Sequence, residues 1–266
     1  MGFFGRKRAP SVTHPRKEPR FDGPLTLERL EQIFQDCVDF TKRPVSLGEG
    51  GACTLTLCYL SGMVKMERVS DYVLRPLAQD EALARCGTPR QAMEEMMGGA
   101  LYNLSAAERT TLDEAAFDLV AGWCLLFFPG ESAVLSLFVG TEEKRSISSP
   151  SNETVLKGSR DAFVESLRTN TSIVRRHLKA PELRIREQVV GRQSVTSVDI
   201  LYIEGLTNPH LVEQVAAQLA DIDIDAVLAT GNIEEYIVPA ARTAFPLVQY
   251  TERSDRFCAG LAEGRV

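Results

Sequence analysis

Few of the residues that build zinc sites or disulfide frameworks are present in this chain. Its 266 residues include only three histidines, and its six cysteines are scattered without a Cys-x-x-Cys pair. Such a sequence predicts neither a structural metal site nor a set of disulfides. Reduced thiols, as found in cytosol-like compartments, are the expected state of the cysteines.

The sequence motifs of several enzyme classes are also missing. There is no Walker phosphate loop, no serine nucleophile elbow, no complete dinucleotide fingerprint and no histidine-rich motif. Gly48-Glu-Gly-Gly51 resembles a phosphate loop only in its glycines, because no Gly-Lys-Ser/Thr follows, and it is interpreted as a turn. We therefore predict a protein that is not an enzyme and that holds no cofactor.

Long hydrophobic runs are absent as well. The longest run, Leu119–Phe128, has ten residues, whereas a membrane helix needs about 20. No signal peptide is visible at the amino terminus. The sequence thus predicts no membrane span within these 266 residues.

Positive charge is concentrated in residues 1–20, although the whole chain has a formal net charge of −6. This segment has six basic residues, one acid, three prolines and no apolar periodicity, which predicts a disordered basic tail. Two interpretations remain open. The tail binds anionic lipid through Arg6, Lys7 and Arg8, or it is solvated and has no partner. No nucleic-acid partner is predicted.

Hydrophobic periodicity and turn signals predict alternating helices and strands. In the first half we expect a helix between Pro24 and Phe40, a turn region from Thr41 to Ala52, a strand from Cys53 to Leu60, a helix from Glu67 that Pro76 ends or kinks, a helix from Thr88 to Leu101, a helix from Ser105 to Val120 opened by a capping box, and strands at Trp123–Phe128 and Ala133–Val139.

The second half is predicted to repeat this alternation. We expect a helix from Ser159 to Leu178 with Asp161 in its first turn, strands at Leu183–Val189 and Val195–Ile203, a helix from Asn208 to about Ala220, a strand at Asp225–Leu228, a helix at Asn232–Val238, a strand at Leu247–Tyr250, and a helix from Ser254 to Gly264.

A short internal sequence repeat indicates that the chain has two related halves. Leu57-Cys-Tyr-Leu-Ser-Gly-Met63 aligns with Ile200-Leu-Tyr-Ile-Glu-Gly-Leu206, and each reads as a strand, a glycine turn and an amphipathic helix. The predicted fold class is therefore α/β, with two α/β subdomains that are each a small sheet flanked by helices. The predicted divisions are the basic tail at 1–20, an N-terminal subdomain at 21–145 and a C-terminal subdomain at 146–266.

Three groups of polar residues could carry a function. Asp221, Asp223 and Asp225 alternate, so a continuous strand would place them on one face for a hard cation, or they face water while the isoleucines face the core. Asn170 falls within the apolar stripe of the Ser159–Leu178 helix and needs hydrogen-bond partners there. Arg175 and Arg176, near Arg160, could bind an anion or form structural ion pairs with Glu153, Glu165 or Glu182.

A resemblance to a known family runs along most of the chain. It is carried by Pro150, Glu153, Gly158, Phe163, Glu165, Asn170, Arg175 and Arg176, then by Gly191, Tyr202, Gly205, Asp225, Phe245-Pro246, Thr251-Glu252-Arg253, Asp255 and Glu263-Gly264-Arg265, and upstream by Tyr59–Met63 and Leu74–Leu77. In order and spacing this series resembles the GerA family, the A subunits of bacterial spore germinant receptors. The chain departs from the family pattern at Ser149, His177 and Ser254.

The resemblance implies a non-catalytic, cytosolic domain of a germinant receptor A subunit that takes part in nutrient signal transduction and receptor assembly. It also implies B and C subunits as partners, a possible A-subunit homo-oligomer, a membrane domain downstream of Val266, and a location on the core side of the spore inner membrane. The ligand or interface candidates are Glu153, Arg160, Glu165, Asn170, Arg175, Arg176, Glu252, Arg253 and Asp255.

Two other functions remain open at this point. Two α/β lobes could close on a small germinant such as an amino acid, a sugar or a nucleoside. An enzyme acting on a phosphorylated or nucleotide substrate would rest only on the fold class, which does not imply function.

Overall fold

The computed structural model describes residues 20–47, 53–100, 105–140, 161–227, 230–238 and 247–266. The chain forms two compact units. The first comprises Met1–Ile33 and Phe40–Glu142, and the second comprises Phe34–Asp39 and Glu143–Val266. Phe34–Asp39 lie within the sequence range of the predicted N-terminal subdomain, yet they pack with the second unit.

The first unit is built on a five-stranded antiparallel sheet. Its strands are β1 (Phe40–Leu47), β2 (Cys53–Leu60), β3 (Ala106–Arg109), β4 (Trp123–Phe127) and β5 (Val134–Phe138), in the order β1-β2-β4-β5-β3. Central strands β4 and β5 are nearly continuous apolar runs and are buried along most of their length. Edge strand β1 instead exposes Lys42, Arg43 and Pro44, which discourage pairing with another chain.

Short helices pack against this sheet. They are α1 (Leu27–Ile33), α2 (Met66–Val69), α3 (Arg75–Gln79), α4 (Glu81–Ala84), α5 (Pro89–Glu95) and α6 (Leu112–Val120), with π-helical turns at Ser70–Leu74 and Met96–Ala100. Leu57, Leu126 and Leu137 of the sheet share one core with Val73 and Met93 of the helices. Met66–Gln79 form one continuous helical stretch, because Val69, Ser70 and Leu74 at its internal boundaries all have right-handed helical φ and ψ. Pro76, which has no N–H to donate, lies in this stretch shortly after the π-helical turn.

The second unit has a central two-stranded antiparallel sheet with helices on both faces. The strands are β6 (Leu183–Val190) and β7 (Thr196–Ile203), and the helices are α7 (Leu167–His177), α8 (Pro209–Ala220), α9 (Thr230–Ile237) and α10 (Ser254–Ala262). Because side chains alternate along a strand, Val190, Ile200 and Tyr202 face a cluster with α8. Leu183, Ile185 and Leu201 face the other way, in a cluster with Val174 of α7 and residues of α10.

The structure confirms the predicted α/β class and many of the predicted elements. β2 and β7 lie at their predicted places, and α8 begins directly after Asn208, whose side chain accepts from the backbone N–H of His210 at 3.0 Å. Both segments of the internal repeat lead from a strand through a turn into a helix. Their sheets differ, with five strands in one unit and two in the other.

The predicted helix from Ser105 to Val120 is wrong in its first part. Ala106–Arg109 form β3, which pairs with β5, and the helix starts at Leu112 with Thr111 as its N-cap. Arg109 donates to Asp118 of α6 through Nε at 2.7 Å and Nη2 at 3.2 Å, and Ser136 of β5 donates to the same carboxylate at 2.6 Å. These long-range contacts outweigh the local capping signal.

Other boundaries also need correction. The first helix ends at Ile33, and the expected turn region after Thr41 is strand β1 as far as Leu47. Residues 161–166 are not helical, so α7 begins at Leu167 with Ser166 rather than Ser159 as its cap. The described parts of the expected strands Asp225–Leu228 and Leu247–Tyr250 are irregular.

Across the described ranges, no helix has both the length and the hydropathy needed to cross a bilayer.

Candidate functional site

Helix α7 carries three of the residues that the sequence analysis singled out, Asn170, Arg175 and Arg176. Ser166 caps its start by accepting from the backbone N–H of Thr169 at 3.4 Å. The last turn holds Arg175, Arg176 and His177, a position where positive charge is favourable beside the negative helix end. The residues of α7 divide between buried contacts and exposed positions, and the division decides which of them could meet a ligand.

Arg175 is fully buried and is paired within the second unit. Its Nε donates to Asp39 Oδ2 at 2.7 Å and its Nη2 to Asp39 Oδ1 at 2.9 Å, a bidentate geometry. Arg175 has 0% exposure and Asp39 has 4%. Burial acts to lower the pKa of Arg175, but attraction by Asp39 acts in the opposite direction and the net shift is upward. The guanidinium is therefore charged and is already occupied by a carboxylate.

The remaining donors around Arg175 converge on one carbonyl of β6. Arg175 Nη1 donates to the carbonyl oxygen of Leu183 at 3.1 Å, and the Cys37 thiol donates to the same oxygen at 3.4 Å. Burial raises the pKa of the Cys37 thiol, and the charge of Arg175 opposes that shift only in part. Cys37 is thus a neutral donor and not a reactive thiolate.

Residues 36–38 add a short parallel bridge to the edge of β6. Val38 donates its backbone N–H to Ile185 O at 3.0 Å, and Ile185 donates to Asp36 O at 3.2 Å. Asp36 has a φ of 58°, a left-handed conformation that Asp tolerates better than most residues. The Phe34–Asp39 segment is therefore held in the second unit by backbone pairing and by the Arg175 ion pair.

Asn170 uses its side-chain amide to hold another segment of backbone. Its Oδ1 accepts from the N–H of Val164 at 2.8 Å, and its Nδ2 donates to the carbonyl of Val164 at 2.6 Å. The amide thus completes both hydrogen bonds of one residue, as a strand partner would. Both Oδ1 and Nδ2 of Asn170 are therefore engaged by the backbone of the same unit and not by a ligand.

Residues 161–163, which directly precede Val164, pair with the residues at the start of α10. Phe163 donates its N–H to Glu252 O at 2.8 Å, Ala162 forms an antiparallel bridge with Arg253, and Ser254 Oγ donates to Asp161 O at 3.0 Å. The rings of Phe163 and Phe257 meet edge to face with centroids 5.3 Å apart. The backbone of residues 161–164 therefore connects two motifs of the family resemblance, the one around Asn170 and the one around Arg253.

Arg253 and Asp255 form a local ion pair at the start of α10. Arg253 Nε donates to Asp255 Oδ1 at 3.0 Å and Nη2 to Oδ2 at 2.6 Å. The hydrogen bond from Arg253 lowers the pKa of Asp255, and the backbone N–H of Arg256 adds to that effect at 2.9 Å. An ionised carboxylate in the first turn also favours the helix start.

Asp161, His177 and Ser254 come together without the geometry of a catalytic triad. His177 Nε2 lies 3.3 Å from Ser254 Oγ and 3.3 Å from Asp161 Oδ2. A serine triad needs the hydroxyl and the carboxylate at opposite ring nitrogens, so that one nitrogen accepts while the other donates. Both contacts here use the same nitrogen. The cluster instead ties the end of α7 to the start of α10.

The other predicted site residues are less constrained or lie elsewhere. Arg176 and Glu165 are exposed, and Arg176 Nε donates to the carbonyl of Ser172 at 3.2 Å. Glu153, Arg160, Arg6, Lys7 and Arg8 lie outside the described residues.

The alternating acids at 221–225 do not form the continuous strand that a cation site on one face would need. Asp221 caps the end of α8, Asp223 pairs with Arg192 at 2.7 Å, and the carbonyl of Asp225 accepts from the turn between β6 and β7. Among the described residues, no group of three or more His, Cys, Asp or Glu side chains could hold a metal ion.

Asp39 is the principal residue that sequence reasoning missed. It is 136 residues from Arg175 in the chain, and no local motif surrounds it. Arg175 pairs with it rather than with Glu165 or Glu182, the acids considered from the sequence. The signal that could have found Asp39 is co-variation with Arg175, which one sequence cannot supply. Chemically, the arrangement holds backbone segments together, and its buried Arg175 is already paired with Asp39.

Comparison with known proteins identifies relatives over most of the chain. A sequence profile described as Bacillus/Clostridium GerA spore germination protein matches residues 28–266. The chain is 35% identical over 239 residues to the uncharacterized membrane protein YfkQ of Bacillus subtilis (strain 168), covering 90% of this chain and 45% of that protein. It is 32% identical over 229 residues to spore germination protein KA of the same organism, covering 85% and 41%.

A solved structure has the same fold. The N-terminal domain of the A subunit of the Bacillus megaterium spore germinant receptor GerK3 matches with a TM-score of 0.65 and 26% identity, over 90% of this chain and 86% of that one. The chain spans less than half the length of the two Bacillus subtilis relatives. Because the GerA profile matches nearly the whole chain, residues 28–266 of 266, the protein belongs to the GerA family of spore germination proteins.

Proposed function

We propose that this chain is the N-terminal domain of a spore germinant receptor A subunit and that it acts in nutrient signal transduction and receptor assembly without catalysing a reaction. The observation that carries the proposal is the likeness to the N-terminal domain of the GerK3 A subunit over 90% of this chain. The proposed partners are the B and C subunits of the same receptor, with A-subunit self-association as a second contact. The proposed location is the core side of the spore inner membrane.

The site geometry supports a scaffolding role for α7. Its buried side chains bind other parts of the same unit: Arg175 binds Asp39, and Asn170 binds the backbone of Val164. A domain that transmits a conformational signal needs rigid elements of this kind, whose alternative arrangements a partner can bias. Exposed Arg176 and Glu165 remain candidates for contacts with a partner subunit.

Nutrient binding by this chain is the competing function. A germinant carboxylate would need an available guanidinium, and Arg175 is committed to Asp39. Thermal unfolding of the 266-residue chain with amino acids, sugars and inosine tests this alternative. A ligand present at 100 times its dissociation constant would add about 2.7 kcal/mol to the free energy of unfolding. We expect an unchanged melting temperature with millimolar ligand.

The receptor role is tested in spores with the full-length subunit. Tagged subunit should co-purify with B and C subunits from spore membranes, and deletion of its gene should slow release of dipicolinate in response to at least one nutrient. Reintroducing the wild-type gene is the control and should restore the response. Normal germination of the deletion strain with every nutrient tested, together with no recovered B or C subunit, would contradict the proposal.

A further inference from the structure

Two carboxylates share one arginine on the face of the β6–β7 sheet that α7 covers. Glu187 and Asp199 are direct partners in the antiparallel register. Arg168 of α7 donates from Nη2 to Glu187 Oε2 and from Nη1 to Asp199 Oδ2, the second at 3.3 Å. Like charges placed directly opposite on adjacent strands repel, so a single guanidinium must offset both.

Among the described residues whose charges act on Asp199, Arg168 is the one cation. Asp39 lies near enough that its charge acts on Asp199. Arg175, the next arginine on the same helix, is held by Asp39 in the bidentate pair described above. The group thus contains three carboxylates (Asp39, Glu187 and Asp199) and two guanidinium groups (Arg168 and Arg175), and it carries one excess negative charge when every carboxylate is ionised.

The two carboxylates that share Arg168 have different surroundings. The Asp199 side chain has 0% exposure, and its Oδ1 has no hydrogen-bond partner among the described residues. The Glu187 side chain is 25% exposed and receives hydrogen bonds from Ser197 and Arg168. Burial raises the pKa of Asp199. The charge of Arg168 lowers this pKa, whereas the charges of Glu187 and Asp39 raise it further. The bond from Ser197 lowers the pKa of Glu187.

We propose that the Glu187–Asp199 pair is a proton-binding site that sets how firmly α7 docks on the sheet. A proton from solvent binds to Asp199, on the oxygen that has no other partner, and Glu187 stays ionised on Arg168. Uptake of that proton leaves two carboxylates facing two guanidinium groups, so the charges under α7 balance. When the proton is released, the excess negative charge remains buried beneath the helix, and docking of α7 weakens.

The sign of the pH dependence follows from which state, folded or unfolded, binds the proton of Asp199 more tightly. The folded-state pKa of Asp199 is raised above the unfolded value, about 3.9 for an aspartate. The folded state therefore binds this proton more tightly, and ionised Asp199 destabilises the fold at neutral pH. The contribution of this group to stability should improve as pH falls through its folded pKa, and it should stop changing below the unfolded value.

Carbon-13 NMR of the aspartate carboxyl groups in the 266-residue chain measures the titration directly. We expect Asp199, assigned by its loss in Asp199→Asn, to titrate above the unperturbed aspartate range. Glu187→Gln removes the competing charge and frees Arg168, so the Asp199 midpoint should move downward in that variant. An Asp199 midpoint at or below the unperturbed range in the wild-type chain would overturn the proposal, and it needs no variant to be interpreted.

Denaturant unfolding from pH 7.5 down to below the unfolded aspartate pKa of about 3.9 provides the second measurement. Asp199→Asn should be more stable than the wild type at pH 7.5 and should have a flatter dependence on pH. Asp223→Asn is the matched control, because Asp223 is exposed and paired with Arg192 on the same unit, and its pH dependence should parallel that of the wild type. An Asp199→Asn chain that is less stable at pH 7.5 and keeps the wild-type pH dependence would overturn the proposal.

Discussion

Arg175 and Asp39 are 136 residues apart in sequence and form a bidentate ion pair with both side chains buried. The pair fixes Phe34–Asp39, a segment that lies between α1 and β1 in the chain, to the β6 edge in the second unit. A buried charge without a partner destabilises a fold far more than a buried ion pair does. Loss of either residue would therefore leave the other as an uncompensated buried charge.

Removing one member of this pair should therefore destabilise the second unit strongly. We expect Arg175→Leu or Asp39→Leu to cost about 3–5 kcal/mol, because each leaves the other charge buried and unpaired. The double change to leucine should cost less than the sum of the two single changes. Hydrogen exchange of the β6 amides measures the loss. Arg176→Leu, at the exposed neighbouring position, is the control and should alter protection by no more than about 0.5 kcal/mol.

Asn170→Leu should loosen the segment that contains Val164. The leucine has similar size, but both hydrogen bonds to the Val164 backbone are lost, which costs about 1–3 kcal/mol for groups left without partners. Exchange of the Val164 and Phe163 amides should rise before that of β7. Gln214→Leu on the exposed side of α8 gives the comparison for a polar-to-apolar change. Equal protection in the two variants would mean that the Asn170 amide does not hold this segment.

Gly191 should tolerate no side chain. Its φ is +88°, and a Cβ there would approach Ser194 Oγ to 2.3 Å in the turn between β6 and β7. Gly191→Ala should therefore destabilise the unit by at least about 1 kcal/mol, the cost of a left-handed conformation for an L-residue. Gly231 in α9 has no atom within 4 Å of a built Cβ and no positive φ, so Gly231→Ala should be neutral or stabilising by up to about 1 kcal/mol. Thermal unfolding of both variants tests the contrast.

The basic tail should bind anionic membranes if Arg6, Lys7 and Arg8 act as predicted from the sequence. Each basic residue near an anionic surface contributes about 1 kcal/mol, and salt screens the attraction. Replacing all three by serine should reduce co-sedimentation with phosphatidylserine vesicles at low salt, and binding of the wild-type chain should fall as salt rises. Exposed Arg75, Arg85 and Arg90 of the first unit changed to serine form the charge-matched control. Unchanged binding after the tail substitutions would contradict the prediction.

The elements predicted correctly are those whose local pattern and tertiary surroundings agree. β2 alternates in burial over its first residues before becoming fully buried, and Asn208-Pro209 carries both a cap and a first-turn proline, so their bounds are visible in the sequence. The misassigned elements are those where the two disagree. Ser105–Glu108 has the spacing of a capping box, but pairing with β5 makes Ala106–Arg109 a strand.

What the sequence determined by itself was the α/β class, most of the strand and helix positions and the GerA resemblance, because these rest on periodicity, turn residues and the order of motifs along the chain. Tertiary structure alone decided that Arg175 meets Asp39, that Asn170 meets Val164, and that Glu187 and Asp199 share Arg168. Each of these contacts joins residues from different elements, and its energy depends on burial and on the number of available partners. Those quantities exist only once the chain has folded.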